Sequence, residues 1–413
     1  MPEHAMSADG HIYLQTNEVR NTIIHYSRAA NGTITEVERV PTGGAGSGIY
    51  KPISGQESAP NAFESAGSVI LSPDRRFLFA TNGGDNSVSS FAVADDGKLT
   101  VSDVKRTGNL VAGRSGTAKS LAYLPESGTL IVLHSFGPDH VRLMTVDGDG
   151  KLTARPEGYT VNTPDKPLRV STMVVLSPDH KFLIVGTTFD EPAKANPDGS
   201  PILWAEKPDG TKYSVASNAP DPDGIVVFPV QSDGSLGEGM FQDGGSGSPF
   251  YPAFLNHRPD HFVIGYAVGD GIGLASLDEN GKIATGPVVK IDTSAGLPSE
   301  LCWLAVSPDD KWVFATNFGY SYVSSFRIDG DVISVAHDQA CPKVPGDGTF
   351  RALNGTVSSG PSDCLLSPDG SFLYQIYANA SKLVGYAVQE DGSLSEVTSA
   401  EIPYNSPQGL AGF

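Results

Sequence analysis

His134 stands in a slot where sister copies of the same repeated segment carry asparagine, and an imidazole is the side chain whose unperturbed titration lies near neutral pH. It is the first candidate for moving a proton. Glu64, Glu300 and Asp363 are alternative acid or base groups, while Lys119, Arg169 and Arg114 could polarise a carbonyl or hold a carboxylate or phosphate. These residues fall into two recurring sets. The first, on the approach to a repeated strand, is Glu64, Lys119, Arg169, Tyr251, Glu300, Trp303, Asp363 and Gln408. The second, at the end of the following strand, is Asn17, Asn82, His134, Thr187, Asn317 and Tyr377. An unpaired polar group in a buried strand costs on the order of 1–3 kcal/mol, so this recurrence predicts a polar cavity on which both sets converge. For Asn82 and Asn317, both in the string Ala-Thr-Asn, satisfying turn backbone is the stronger expectation. No cofactor is required, but Glu64, Glu300 and Asp363 with neighbouring asparagines would offer a hard divalent cation oxygen ligands.

The elements that must position these side chains are set by a repeat. The string LSPDRRFLFATNGGDNSVSSFAVADDGKLT from Leu71 recurs with its Pro at Pro73, Pro125, Pro178, Pro259, Pro308 and Pro368. Within a copy, runs such as FLFAT, VSSFAV and KLTVSDV join β-branched and aromatic residues with Asp-Gly or Asn-Gly turns, which predicts four short antiparallel strands per unit. Four-stranded repeats are propeller blades. Six full copies leave the ends: Asp9-Gly10-HIYLQTN matches Asp369-Gly370-SFLYQIY, and the terminal SPQGLAGF matches GPSDCLLS. A closing blade shared between the termini therefore completes an all-β, seven-bladed propeller, read as one domain over residues 1–413.

In such a blade the approach to the innermost strand and the loop between the second and third strands lie on one face. Long segments gather there, among them GGAGSGIYKPISGQESAPNAFES and CPKVPGDGTFRALNGTVSSG. Blade four also carries an insertion, about 188–224, which stretches its Pro178-to-Pro259 spacing to 81 residues against 49 to 60 elsewhere. It is expected to be a lid or rim loop of the substrate face, with a decorative insertion as the plain alternative.

Composition bounds the partners. The chain of 413 residues has 47 Gly, 30 Pro and a formal charge of −19, an acidic surface unsuited to nucleic acid or an anionic membrane. No apolar run reaches membrane-span length, and the start MPEHAMSADG lacks a signal-peptide pattern, so a cytoplasmic protein is expected. Cys302 and Cys364 read as small buried fillers. Nothing in the repeat calls for a second copy, so a monomer is the default. Metalloprotease HExxH, Gly-x-Ser-x-Gly, nucleotide-loop and CxxC patterns are all missing.

The unit SPD-x-x-FLFATN…SVSSF with its DGKLT or DGSLS turn resembles the lactonase family of seven-bladed propellers, the group of 6-phosphogluconolactonase and carboxymuconate cyclases. The resemblance covers nearly the whole chain and implies a small-molecule enzyme that hydrolyses a lactone or closes one. Family members acting on sugar lactones tend to carry Arg-His pairs before the Ser-Pro-Asp turn. Here the corresponding pairs are Gly67-Ser68, Lys119-Ser120, Thr172-Met173, Ala253-Phe254, Cys302-Trp303 and Ser362-Asp363. Met173, Phe254 and Trp303, with Tyr251 nearby, point to a more hydrophobic or aromatic ligand, although plain packing between blades is the favoured reading of Met173 and Phe254. The expected function is lactone hydrolysis or intramolecular lactonisation at the mouth of the central channel, with His134 or a carboxylate moving the proton and Lys119 and Arg169 holding the oxyanion. Another isomerase, lyase or cyclase activity on the same pocket is the first alternative. A non-catalytic scaffold for protein partners is the second; it would require a broad apolar rim.

Overall fold

The computed structural model describes residues 10–49, 58–60, 66–109, 118–164, 166, 169–188, 194–195, 201–202, 204–206, 212–214, 224–293, 299–352 and 355–413. Seven four-stranded antiparallel sheets stand in a ring, each running from an innermost strand outward. The innermost strands are Gln408–Gly412, Val69–Leu71, Ala118–Leu124, Val170–Leu176, Pro249–Phe254, Leu301–Val306 and Pro361–Leu366, for blades one to seven. Blade one is the shared one: Gly10–Gln15 pairs with Gln408–Gly412 in the register Leu14↔Leu410. His11 and Phe413 exchange both backbone hydrogen bonds, at 2.8 and 3.0 Å.

The recurring Ser-Pro-Asp has a local cause. In four blades the serine hydroxyl donates to the aspartate two residues on (Ser72–Asp74, Ser177–Asp179, Ser307–Asp309 and Ser367–Asp369, all 2.6–2.7 Å). The same serine oxygen accepts the backbone N–H that opens the second strand, at 2.9–3.0 Å in each case. One side chain thus ends the innermost strand and starts the next. Second strands such as Phe77–Asn82 and Thr129–His134 are buried along their whole length, because a blade is covered on both faces by its neighbours. Ile131, Leu133 and Leu143 of blade three pack on Val174, Leu183 and Val226 of blade four in this way.

The Asp-Gly turns are inter-blade latches. Gly150 has φ +77°, and a Cβ placed on it would lie 2.8 Å from the Phe77 ring of blade two. Gly281 of blade five meets Phe182, Gly392 of blade seven meets Trp312, Gly32 of blade one meets Phe372, and Gly97 of blade two meets His11. The turn demands a left-handed residue, and the neighbouring ring leaves no room for a side chain. The insertion of blade four lies where expected, between Phe182–Thr188 and Ile225–Pro229, which pair directly. Its described pieces are two small hairpins, Lys194–Ala195 with Pro201–Ile202 and Trp204–Glu206 with Lys212–Ser214. Among the described residues no helix is long and apolar enough to cross a membrane.

Candidate active site

The first recurring set is organised by β-bulges. The pairing between the innermost and second strands shifts register at Ala118/Ser120, Ser171/Val174, Pro249/Tyr251, Leu301/Leu304 and Pro361/Cys364. A bulge releases residues from the ladder and re-aims their side chains, a device found beside active sites. Counting back from the regular pairs Leu71↔Leu78, Tyr123↔Leu130, Leu176↔Leu183, Phe254↔Phe262, Val306↔Val313 and Leu366↔Leu373 places Ser68, Ser120, Met173, Tyr251, Trp303 and Asp363 at one equivalent position. Gln408 completes the ring in blade one, beside a further shift between Leu14 and Gln15. Lys119 precedes Ser120 on its bulge.

This register corrects the pair expected in blade five. Pro259 is an unsuitable anchor there, because its second strand begins two residues later, at His261, whereas Trp312 and Phe372 follow their prolines by four. The pair in that blade is Phe250-Tyr251, and Phe254 instead lies at the far end of the strand against Phe262, ring centroids 5.1 Å apart. Tyr251, Trp303 and Asp363 thereby become consecutive members of the ring.

The electrostatics couple residues of different blades at these positions. Burial pushes the Asp363 carboxyl up to about 7, although its oxygens accept the N–H groups of Cys364 (3.0 Å) and Leu410 (3.1 Å), which hold it down. Burial, then the charges of Asp363 and Cys364, raise the Tyr251 hydroxyl well above its ordinary value. The Cys302 thiol is raised by burial and by Glu300, while Lys119 from blade three pulls it down. Lys119 is itself fully buried: Nζ donates to Ser171 O at 3.0 Å and lies 5.9 Å from the centroid of Phe250. Glu300 is 3% exposed, with a left-handed φ of +52°, and its carbonyl accepts the Phe318 N–H. All three cysteines are buried free thiols.

The second recurring set is bonded to neighbouring strands and loops. Asn82 donates to Ser87 and Ser89 and accepts from Asn21 and Thr42, four bonds at 2.8–3.0 Å that fasten its own blade to the neighbouring loop. Asn317 donates to Ser324 at 2.7 Å, Asn17 clasps Ser47 through two bonds, and Tyr377 meets the Tyr386 hydroxyl at 2.9 Å. Asn17 and Asn82 thus bond loop residues, whereas Asn317 and Tyr377 bond side chains of the adjacent strand of their own blades.

His134 departs from the near-neutral imidazole expected of it. The ring is wholly buried between Thr107 Oγ1 (2.9 Å from Nε2) and His140 O (3.2 Å from Nδ1), and burial pushes it down to about 3. It is neutral at pH 7, and a weak base. Its carbonyl accepts the Ser171 hydroxyl, whose residue in turn accepts Lys119. Arg169 is likewise not aimed at the ring of bulge positions: its guanidinium donates to Val161 O at 2.9 Å and lies over Phe241 of the outermost strand of blade four. Glu64, Arg114 and most of the insertion lie outside the described residues. Among the described residues no three His, Cys, Asp or Glu side chains are grouped to hold a metal ion.

Sequence reasoning missed Phe250, His140, Ser171 and Gln375. Gln375 bonds to Ser362 O, and Gln15, its counterpart in blade one, bonds to Thr81 O. The shared glutamine in LYQIY and YLQTN was the available signal.

The family profile described as a lactonase, seven-bladed β-propeller, matches residues 3–111. Over those residues, about a quarter of the chain, the sequence is similar to this family. A 6-phosphogluconolactonase of Erwinia tasmaniensis is 24% identical over 298 residues, covering 68% of this chain and 83% of that protein. Another, of Pectobacterium carotovorum, is 26% identical over 271 residues, covering 60% and 76%. Among solved structures, the periplasmic gluconolactonase of Pseudomonas aeruginosa superposes with TM-score 0.65 at 16% identity, covering 98% of each chain. A hypothetical selenium-binding protein of Sulfolobus tokodaii reaches 0.61 at 12%, covering 99% and 95%. At such identities these two likenesses show the propeller fold and nothing of its chemistry.

Proposed function

We propose that the protein is an enzyme that opens the ring of a small lactone, or closes it in reverse, at the ring of bulge positions. The Asp363 carboxyl carries this reading. A carboxyl raised to about 7 by burial is half ionised at neutral pH, the condition that best suits a group required to take a proton and return it. Asp363 would accept a proton from water as the water oxygen bonds to the lactone carbonyl carbon. The tetrahedral intermediate would then expel the ring oxygen, which takes that proton as the acyl C–O bond breaks. The product is a hydroxy acid, and the same steps reversed close one. Lys119, a buried cation on the neighbouring set of positions, would stabilise the oxyanion. The names of the two curated relatives support the reaction class.

His134 is a positioning residue in this scheme, acting through Ser171 on Lys119. Catalysis is also favoured over a scaffold by the described surface: its exposed large apolar side chains, such as Val19, Val101, Val332 and Tyr404, are scattered over different blades and form no broad rim. The test is the pH profile of kcat/KM for lactone opening. It should rise through about 7 and vanish in Asp363→Asn; a variant as active as the parent would remove Asp363 from the mechanism.

A further inference from the structure

Trp303 is 0% exposed, yet its indole Nε1 has no hydrogen-bond partner among the described residues. A buried donor without an acceptor costs on the order of 1–3 kcal/mol, a penalty that a bound oxygen would remove. The residue sits on the blade-six bulge between Tyr251 and Asp363 in the ring of equivalent positions. Its ring packs edge-on to Phe250 at 5.4 Å and lies 6.0 Å from Phe318, which in turn packs on Phe350 at 5.3 Å. Phe350 and Ala59 come from two of the long loops of this face and join the same buried cluster. These loops meet: a Cβ on Gly360 would touch Pro60 at 2.3 Å, and Asn405 donates to Ser58 at 2.7 Å. The aromatic wall therefore has an apolar roof.

We propose that this ring takes an unphosphorylated lactone with an apolar or aryl ring, packed against Phe250, Tyr251 and Trp303, with one ester oxygen accepting the Trp303 Nε1 hydrogen. The inference deepens the lactone reading and rests on it. The wall also argues against a phosphorylated sugar. The seven equivalent positions hold Ser, Ser, Met, Tyr, Trp, Asp and Gln, with no cation among them, and Lys119 beside them donates to Ser171 O and is assigned to the oxyanion, whereas recognition of a phosphate dianion calls for several charged donors. The one acid in the ring would repel it. Apolar ligand surface, by contrast, gains from burial against these rings.

The test measures kcat/KM of the parent for dihydrocoumarin, glucono-δ-lactone and 6-phosphoglucono-δ-lactone, and calorimetric binding of 3,4-dihydro-2-quinolinone, the unreactive lactam of the first. The aryl lactone should be preferred by at least roughly tenfold. Trp303→Phe, which keeps a ring but removes the donor, should weaken lactam binding roughly two- to tenfold. If the lactam binds and no lactone is opened, the ligand class stands and the hydrolytic reading fails. If either sugar lactone is the better substrate and the lactam does not bind, hydrolysis stands and this inference is overturned. Unchanged lactam affinity in Trp303→Phe removes the indole contact.

Discussion

Asp363→Asn separates the cost of the buried carboxyl from its use. Burial moves the group from 3.8 to about 7, so between those values the native protein holds a proton that the unfolded chain releases. The contribution to stability is fully present below 3.8 and is lost as pH rises through about 7. At about 1.36 kcal/mol per pH unit the loss totals about 4 kcal/mol, of which about 2 kcal/mol falls between pH 5.5 and 8. Asparagine has one acceptor oxygen for the two N–H groups of Cys364 and Leu410, a penalty of roughly 1–3 kcal/mol that does not depend on pH. The difference between variant and parent should therefore move in the variant's favour by about 2 kcal/mol from pH 5.5 to 8. For a chain of 413 residues this is about 2 °C in Tm, readable by paired thermal scans across that range. A difference that stays flat with pH would mean that Asp363 titrates as an ordinary carboxyl, and the physical basis of the proposed mechanism would go with it.

Acid should act in the opposite sense through the imidazoles. His134 and His140 are pushed down to about 3 and about 4 by burial, so the stability they contribute is present above 6.5 and lost as pH falls toward those values. His134→Asn should flatten the pH slope of unfolding between pH 6 and 4 by about 1.4 kcal/mol per unit, one proton's worth, in urea titrations. Lys119→Met should lower kcat for lactone opening by roughly 100-fold while the protein remains folded by circular dichroism; full activity would discard Lys119 as the oxyanion partner. Gly150→Ala should destabilise by about 2–4 kcal/mol, because the left-handed turn and the Phe77 ring both resist a Cβ. Gly330→Ala, with positive φ but nothing within 4 Å, should cost only about 1 kcal/mol, and equal losses at the two sites would show that the latch contact contributes nothing.

The ring was legible in the sequence because its determinants are local and repeated. Each serine of Ser-Pro-Asp carries its own turn in four blades, and each Asp-Gly or Asn-Gly turn carries its own left-handed glycine in all seven, so the copies report the same geometry independently. Even the shared blade could be read, since HIYLQ and the terminal GLAG repeat what their sister blades do. The site was legible only as a set of positions. Tyr251, Trp303, Asp363 and Gln408 proved equivalent, but the bulges that release them leave no residue signature, and in blade five the proline anchor misled by three residues. Direction and protonation were harder still. His134 and Arg169 occupy expected slots, yet what decides their behaviour is Thr107, His140, Val161 and Phe241, partners outside the repeated positions that marked them.

The latches share one direction: in six of the seven blades the turn glycine presses on a ring or chain of the blade before it, Gly330 of blade six being the exception. Seven tandem subunits thus assemble head to tail by one heterologous contact, and they stop only because the rotation per contact closes the circle. A chain shortened by one blade would expose a turn face at one end of the gap and an aromatic socket at the other. Those two surfaces are complementary, so the open ring would recruit a second chain through them, and the expected product of blade loss is an interlocked dimer or longer polymer in place of a soluble fragment.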